Sequence, residues 1–215
     1  MRSEAINSLF SLESENQDLS DLVIMGDLSA RFASLKINNN GTKGDHFKKI
    51  KDLGSGAFGR VDLSIVQVRK NYAKCGEQVA IKRFQDISDS EMAKKEAEIL
   101  QKLVQRFIVR YLDIFKNSKG QLCLVMEYCD RGTLVDFLSS FVDSRMEEFN
   151  IWRLVGQFSS VLSFLHGQHP PILHNDLKPA NILCKTENGK ISIKIADFGV
   201  CNVLGKIDSI LLTCL

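Results

Sequence analysis

Residues 54–61 read Gly-Ser-Gly-Ala-Phe-Gly-Arg-Val, a G-x-G-x-x-G pattern that ends on a β-branched residue. Glycines at these spacings let backbone amides approach a phosphate where a Cβ would obstruct them. A dinucleotide-binding turn would open a helix, whereas the residues that follow here are typical of a strand. The stretch therefore predicts a flap between two strands, with a glycine-rich hairpin that binds no ligand as the alternative.

Short strands surround this flap, and one helix interrupts them. The strand pattern occurs at residues 47–53, 60–68, 78–84, 109–115 and 121–127. Ser88 and Glu91 form a capping-box pattern, in which each side chain satisfies an amide near the first helical turn, and helix formers continue to Val104. This half of the chain is typical of a sheet crossed by a single helix.

The balance changes toward helices after Gly132. Helical periodicity covers residues 133–141 and 151–166, and the longer segment places its apolar residues on one face. Those residues are Ile151, Leu154, Val155, Phe158, Val161, Leu162 and Leu165. Short strands are predicted at residues 172–174, 181–184 and 191–196, the last two joined around Asn188-Gly189. We predict an α+β fold with two lobes, a β-rich N-lobe with one helix and a mainly helical C-lobe.

The composition is that of an ordinary globular protein. The 215 residues are 44% hydrophobic and 25% charged, and 28 basic against 26 acidic residues leave a net charge of +2. This balance gives no electrostatic reason to expect nucleic-acid or membrane binding. We expect no membrane span, because no window approaches the roughly 20 apolar residues that a span needs.

The six cysteines are scattered, without zinc-binding spacing, and are typical of free thiols in a reducing compartment. We therefore expect an intracellular, cytoplasmic protein. Residues 1–46 are rich in Ser, Asn, Asp and Glu, and they predict a flexible N-terminal extension that ends at a domain boundary near Phe47.

A lysine and a glutamate occupy positions that favour a buried ion pair. In Val79-Ala-Ile-Lys the ammonium of Lys82 stands on an apolar strand. Glu96 interrupts an apolar helical stripe, and an unpaired buried carboxylate costs several kcal/mol. Lys82 is the natural partner of Glu96, and the alternative is that Lys82 is an exposed lysine at a sheet edge. Glu98 and Lys102, four residues apart, show that ion pairs on a helix surface also occur in this sequence.

Two further blocks carry oxygen ligands and a proton acceptor. Residues 174–181 read His-Asn-Asp-Leu-Lys-Pro-Ala-Asn, and residues 197–199 read Asp-Phe-Gly. Asp176 could accept a proton, while the amide oxygen of Asn181 and the carboxylate of Asp197 are hard ligands suited to Mg²⁺. Taken singly each is an ordinary turn residue, but their joint occurrence in this order indicates one site.

In this order the blocks resemble those of the eukaryotic protein kinases. The resemblance runs from residue 47 to residue 215, with an N-lobe at 47–128 and a partial C-lobe at 129–215. Residues 124–129, Leu-Val-Met-Glu-Tyr-Cys, are similar to the hinge of that family. Leu-Lys-Pro after Asp176 is the Ser/Thr-type form, and the NIMA-related branch is the most similar one. The resemblance implies an ATP- and Mg²⁺-dependent kinase that phosphorylates Ser and Thr hydroxyls of protein substrates.

The resemblance also implies residue roles. Lys82, paired with Glu96, would hold the α- and β-phosphates of ATP; Asp176 would accept the substrate proton, and Lys178 would steady the transferred phosphate. Asn181 and Asp197 would hold Mg²⁺. The residues expected to bind the nucleotide are Leu53, Gly54, Gly56, Gly59, Val61, Ala80, Lys82, Met126, Glu127 and Cys129.

Asn175 departs from the family pattern. It stands where most members carry an arginine that receives a phosphate from the activation segment. An asparagine cannot replace that charge. We therefore expect phosphorylation of Thr213 to activate the protein weakly at most.

The sequence ends at Leu215, soon after Asp-Phe-Gly, whereas the family continues with further helices. We therefore expect an incomplete domain, whose exposed C-lobe surface would be covered by the remainder of the domain or by a partner. The alternative is a nucleotide-binding, catalytically inactive short isoform or scaffold.

Overall fold

The computed structural model describes residues 46–56, 59–84, 89–141 and 145–203. The nine strands among these residues are β1 Phe47–Gly56, β2 Gly59–Val66, β3 Gln78–Arg83, β4 Tyr111–Lys116, β5 Leu122–Glu127, β6 Ile172–Leu173, β7 Ile182–Glu187, β8 Lys190–Ile195 and β9 Asn202–Val203. The helices are α1 Asp89–Lys102, α2 Leu134–Ser139, α3 Glu148–His166 and a 3₁₀ turn at Pro179–Asn181.

The N-lobe is a five-stranded sheet with the order β1-β2-β3-β5-β4. Each neighbouring pair is antiparallel, and Gly56 pairs with Gly59 where β1 turns into β2. The predicted strands are all present, with ends that move by a few residues. Since residues of a strand point alternately to opposite faces, the sheet presents two apolar surfaces.

Two apolar clusters bury those surfaces. The outer cluster consists of Phe47, Val66, Ala73, Val79, Ile81, Phe115, Cys123 and Val125. The larger cluster, which we call the inter-lobe core, joins residues of α1, β4 and β5 to residues of α3, β7 and β8. Leu124 of β5 and Ile195 of β8, both fully buried, belong to it. The two lobes thus share one core.

Helix α1 buries the predicted stripe. Glu96 is 1% exposed among the buried apolar residues Ala93, Ile99 and Leu100. Ser88, the predicted capping residue, lies outside the described residues. The helix therefore carries a carboxylate into the inter-lobe core, which requires a positive partner.

Helix α3 is buried mainly in its second half. Val161 and Leu165 are fully buried, whereas Ile151 and Val155 on the predicted apolar face are each 46% exposed. Gln157 is buried as well, because its side-chain oxygen accepts a hydrogen bond from the Ile193 amide at 2.9 Å. The helix is thus anchored to the β7–β8 hairpin by a polar contact that the apolar pattern does not indicate.

The β7–β8 hairpin turns at Asn188-Gly189, as predicted. Both residues have positive φ, 50° and 73°, which is the geometry of a type I′ turn. The other end of the hairpin meets the N-lobe, where the amide of Ile195 donates to the Phe107 carbonyl at 2.8 Å. Backbone pairing therefore connects the two lobes in addition to the shared core.

Cys75, Cys123, Cys129, Cys184 and Cys201 are free thiols in the described part of the chain, while Cys214 lies outside it. None of the helices in these residues is long and apolar enough to cross a membrane. The predicted extension at residues 1–46 falls almost wholly outside the described ranges.

Candidate active site

Lys82 lies at the junction of the two lobes, held between two carboxylates. Its Nζ is 2.7 Å from Oε2 of Glu96 and 2.8 Å from Oδ1 of Asp197. Burial alone would lower the pKa of Lys82, but the attraction of these carboxylates outweighs burial, and the pKa is raised. The side chain therefore carries a full positive charge in a site that is mostly shielded from water. The predicted Lys82–Glu96 ion pair is present, and Asp197 is a second partner.

Backbone geometry turns Asp197 toward Lys82. Asp197 has a φ of 65°, in the left-handed region that few non-glycine residues occupy. The next residue, Phe198, is fully buried in the inter-lobe core. Burial of this ring anchors the segment, so the unusual φ of its neighbour directs the carboxylate into the site.

His174 connects this segment to the loop that carries Asp176. Its ring packs edge-on against Phe198 with centroids 4.7 Å apart, and Nε2 lies 3.0 Å from the Ala196 carbonyl. Nδ1 accepts a hydrogen bond from the Asp176 amide at 3.4 Å. These contacts require a neutral imidazole with its proton on Nε2, and burial indeed lowers the pKa of His174. The sequence pattern indicates no role for this histidine, because its partners are distant in sequence or are backbone groups.

Asp176 forms a compact cluster with Lys178 and Asn181. Lys178 Nζ lies 2.7 Å from Oδ2 of Asp176, and the Asn181 amide donates to the same oxygen at 2.9 Å. The hydrogen bond from Lys178 is the main cause that lowers the pKa of Asp176. The carboxylate is therefore ionised at neutral pH and can accept a proton.

Asn181 and Asp197 are brought together by the β7–β8 hairpin. Ile182 pairs with Ile195 in that hairpin, and the Ala196 amide donates to the Asn181 carbonyl at 2.9 Å. The side-chain nitrogen of Asn181 is used toward Asp176, which leaves its oxygen as the donor atom for a cation. No group of three or more His, Cys, Asp or Glu residues in the described part of the chain could hold a metal by itself. A cation at Asn181 and Asp197 would thus need further ligands from a substrate.

All but one of the residues expected to bind a nucleotide lie on the adjacent strands β1, β2, β3 and β5, and the exception is Cys129. Val61 is the register partner of both Gly54 and Lys82, and Ala80 pairs with Met126. Leu53 belongs to β1 and is 40% exposed. Met126 and Glu127 of the hinge-like stretch end β5, and Cys129 follows that strand. The Cys129 thiol is buried, which raises its pKa to about 12. This thiol stays protonated at neutral pH.

The carboxylate of Glu127 faces a charged cluster that the local sequence pattern does not indicate. It contacts Lys185 Nζ, lies 3.4 Å from Lys194 Nζ and accepts the Arg110 amide at 2.9 Å. Lys194 also donates to the Arg106 carbonyl at 2.6 Å. The cluster ties the end of β5 to the β7–β8 hairpin, and the Glu127 amide also donates to the Arg110 carbonyl at 3.0 Å.

Asn175 lies in a tight turn, with a φ of 63°. Its side-chain nitrogen donates to the Val200 carbonyl at 3.4 Å, a neutral contact with the segment after Asp-Phe-Gly. Thr213, the residue whose phosphorylation we expect to be weakly activating, lies outside the described residues.

The fold and this site define the class of protein. Residues 47–213 match the family model described as "Protein kinase domain", and the chain belongs to that family. Relatives include serine/threonine-protein kinase cds1 of Schizosaccharomyces pombe, 32% identical over 166 residues, which are 76% of this chain and 34% of the relative. Another relative is Actin-regulating kinase 1 of Saccharomyces cerevisiae, 28% identical over 76% of this chain and 27% of the relative.

A third relative, named "Probable serine/threonine-protein kinase nek2", comes from Dictyostelium discoideum. It is 30% identical over 75% of this chain and 38% of the relative. The matched part of this chain thus spans between 27% and 38% of the length of these three relatives.

Proposed function

We propose that this protein is an ATP- and Mg²⁺-dependent protein kinase that transfers the γ-phosphate of ATP to Ser and Thr hydroxyls. The observation that carries the proposal is the position of Lys82, whose ammonium is held by Glu96 and Asp197 beside the Asp176 cluster. This arrangement gathers a phosphate-binding cation, metal-binding oxygens and a proton acceptor at one junction. Two of the three relatives are named as Ser/Thr-protein kinases, which supports the same activity.

The site is suited to stabilising spread negative charge. In phosphoryl transfer the protein mainly aligns donor and acceptor and neutralises charge on the transferred group. Lys82 would hold the α- and β-phosphates, since Glu96 and Asp197 keep it charged and fix its position. Lys178 would supply positive charge near the acceptor.

The oxygen donors of Asn181 and Asp197 fit Mg²⁺, because one is an amide oxygen and the other a carboxylate, both hard ligands. When bound there with ATP, Mg²⁺ neutralises phosphate charge. Asn181 also donates a hydrogen bond to Asp176. The same residue would therefore fix the position of the proton acceptor relative to the metal ligands.

Asp176 would orient the substrate hydroxyl and accept its proton. Its pKa is lowered by Lys178 and Asn181, so the carboxylate is available as a base throughout the neutral range. Backbone groups of Glu127 and Cys129 would contact adenine, with the Glu127 side chain fastened on the far side by Lys185. Leu53, Gly54, Gly56, Gly59, Val61, Ala80 and Met126 would complete the nucleotide pocket.

Two finer assignments belong to the proposal. The Dictyostelium relative supports a place in the NIMA-related branch. Five free cysteines in the described residues support an intracellular, cytoplasmic location, where thiols stay reduced. The physiological substrates would be proteins with exposed Ser or Thr residues.

A phosphotransfer assay with the Asp176→Asn variant tests the proposal. The chain would be incubated with radiolabelled ATP, Mg²⁺ and a mixed Ser/Thr peptide substrate, and binding of a fluorescent ADP analogue would be measured in parallel. General-base catalysis contributes about 10²- to 10⁴-fold, so we expect kcat to fall by at least about a hundredfold while ADP binding persists. Asp52→Asn, an exposed aspartate of β1, is the matched control and should leave both unchanged.

Equal kcat in the Asp176→Asn variant and the unmodified chain would contradict the role of Asp176. If the unmodified chain binds the ADP analogue but transfers no phosphate, the nucleotide-binding scaffold replaces the kinase as the function of this chain.

A further inference from the structure

A second charged pocket lies on the outer face of the N-lobe sheet, away from Lys82. It is a cavity of about 420 Å³ lined by Lys49, Arg60, Asp62, Arg83, Asn117, Ser118, Lys119 and Gln121. Arg83 follows Lys82 directly in β3, and successive strand residues point to opposite faces. The sheet therefore separates this pocket, which we call the outer pocket, from the candidate active site.

The outer pocket is strongly positive. Four cationic side chains line it against the single carboxylate of Asp62. Asp52 contacts Lys49 from outside the lining at 2.7 Å, and even with Asp52 counted the cations outnumber the carboxylates by four to two. An anion that entered would meet a surplus of positive charge.

The buried side chain of Asp62 lies at the base of the outer pocket. Its side chain is 2% exposed, and it lies 2.8 Å from Lys49 Nζ and 2.5 Å from Arg83 Nε. One buried carboxylate thus fixes two cationic side chains from different strands. The two ion pairs therefore set the positions of Lys49 and Arg83 in the lining.

Arg60 adds a cation that the fold alone would not favour. It is the register partner of Arg83 across β2 and β3, so two arginines stand directly opposite each other on one face of the sheet. Like charges in directly opposed positions destabilise a sheet. Arg60 is exposed, and its planar donor fork matches the oxygens of a phosphate or a similar oxyanion.

The β4–β5 turn supplies the remaining wall. Asn117 Oδ1 accepts the amides of Lys119 and Gln121, each at 3.0 Å, and this fixes the turn. Lys119 and Ser118 are exposed at the rim. The turn therefore presents a cation and a hydroxyl to the same space as the arginines.

We propose that the outer pocket binds a phosphate monoester dianion carried by a phosphorylated Ser or Thr of a polypeptide. Every lining side chain is polar or charged, so nothing in the lining would hold a lipid tail. The net charge of +2 gives no electrostatic support for binding a nucleic acid. The pocket thus recognises charge and oxygen geometry alone, which a phosphorylated side chain on a polar segment supplies.

The test is direct binding of a fluorescein-labelled phosphoserine peptide to the full chain, followed by fluorescence anisotropy. The unphosphorylated peptide is the first control. Loss of a charge-assisted bidentate contact should weaken binding about tenfold in the Arg60→Gln variant, and Lys119→Gln should weaken it several-fold. Lys74→Gln, an exposed lysine outside the pocket, should bind like the unmodified chain. We also expect affinity to fall as NaCl rises, because the contacts are electrostatic.

Three results would overturn the proposal: no preference for the phosphorylated peptide, equal affinity in Arg60→Gln, or equal losses in Arg60→Gln and Lys74→Gln. Inorganic phosphate is the second probe. If it binds in an Arg60-dependent manner but the peptide does not, the pocket takes a free anion and the polypeptide ligand is excluded. Because no ATP is used, these outcomes are independent of kinase activity, and since Arg60 is exposed, a thermal melt would confirm that Arg60→Gln stays folded.

Discussion

At the scale of single residues, the charges at the lobe junction stabilise the fold as well as serving the proposed reaction. Glu96 is 1% exposed, and Lys82 is its ion-pair partner at 2.7 Å. Removing one partner of a buried pair leaves an uncompensated charge, at a cost of about 3–5 kcal/mol. Removing both charges avoids most of that cost.

We therefore predict that Lys82→Met lowers the free energy of unfolding by about 3–5 kcal/mol and that the double variant Lys82→Met/Glu96→Gln recovers part of the loss. Urea denaturation followed by circular dichroism would measure both. Lys94→Met is the matched control, because Lys94 pairs with Glu91 on the exposed side of the same helix and should cost less than about 1 kcal/mol. Equal losses in Lys82→Met and Lys94→Met would contradict the prediction.

The buried His174 makes the free energy of unfolding decrease as the pH falls. Burial lowers its pKa below the usual value of 6.5, so the unfolded chain binds a proton more readily than the folded chain. The contribution of neutral His174 to stability is fully present above the pKa that this histidine has in the unfolded chain. It is lost as the pH falls toward the lower pKa that His174 has in the folded chain. We predict that the free energy of unfolding decreases between pH 7 and pH 5 and that His174→Gln makes this decrease smaller.

Denaturant titrations at several pH values would measure the effect. His166→Gln is the matched control variant, because His166 is exposed at the end of α3. If His174→Gln and the unmodified chain have the same slope, His174 is not the group that senses pH.

The site residues that can be predicted from the sequence are those whose partners lie close to them along the chain. Asp176, Lys178 and Asn181 lie within six residues of one another, and the turn alone brings them together. The Glu127–Lys185 pair and the Asp62–Lys49 pair join separate strands. Nothing in their local sequence specifies the partner, so these pairs emerge only from the folded chain.

At the scale of elements, the glycines of the glycine-rich hairpin differ in how much space surrounds them. Gly59 has a φ of 148°, and a Cβ built there would lie 2.3 Å from the Arg83 carbonyl oxygen. A backbone oxygen in a sheet cannot move aside easily. A Cβ added at Gly54 would meet nothing within 4 Å beyond its own chain neighbours.

We predict that Gly59→Ala lowers the free energy of unfolding by about 1–3 kcal/mol, whereas Gly54→Ala changes it by less than about 1 kcal/mol. Under the proposed function, Gly54→Ala should instead raise KM for ATP, because the added methyl group would occupy space above the phosphates. Denaturant unfolding and steady-state kinetics separate the two effects. A large stability loss in Gly54→Ala would show that both glycines are structural.

The sequence predicts whether a segment is a helix or a strand more closely than it predicts where that segment begins and ends. The predicted strand at 109–115 starts at Tyr111, because the Val109 amide donates to Ile195 of the C-lobe instead of to β5. The predicted strand at 181–184 starts at Ile182 after a 3₁₀ turn and extends to Glu187. Strand β9 is not predicted from the sequence, because its two residues, Asn202 and Val203, are too few to show an alternating pattern. Contacts between distant segments decide these ends, and local patterns do not contain them.

At the scale of the whole molecule, the shared core predicts that the two lobes unfold together. The inter-lobe core includes Val109 after α1 and Val161 in α3, and it also contains Ile195, to which Val109 donates a backbone hydrogen bond at 2.9 Å. Since these residues pack in one cluster, opening either lobe exposes apolar surface of the other. A defect in this core should therefore weaken both lobes at once.

Val109→Ala tests this coupling, because Val109 is 1% exposed, and Val104→Ala is the same substitution at a site that is 87% exposed. We predict that Val109→Ala lowers the free energy of unfolding by about 2 kcal/mol and that Val104→Ala changes it by less than about 0.5 kcal/mol. The single tryptophan, Trp152, lies on α3, so its fluorescence follows the C-lobe while circular dichroism also follows the N-lobe sheet. The two signals should give coincident transitions in the unmodified chain and shift together in Val109→Ala. Separate transitions, with only one of them moved by Val109→Ala, would mean that the lobes unfold independently despite the core that joins them.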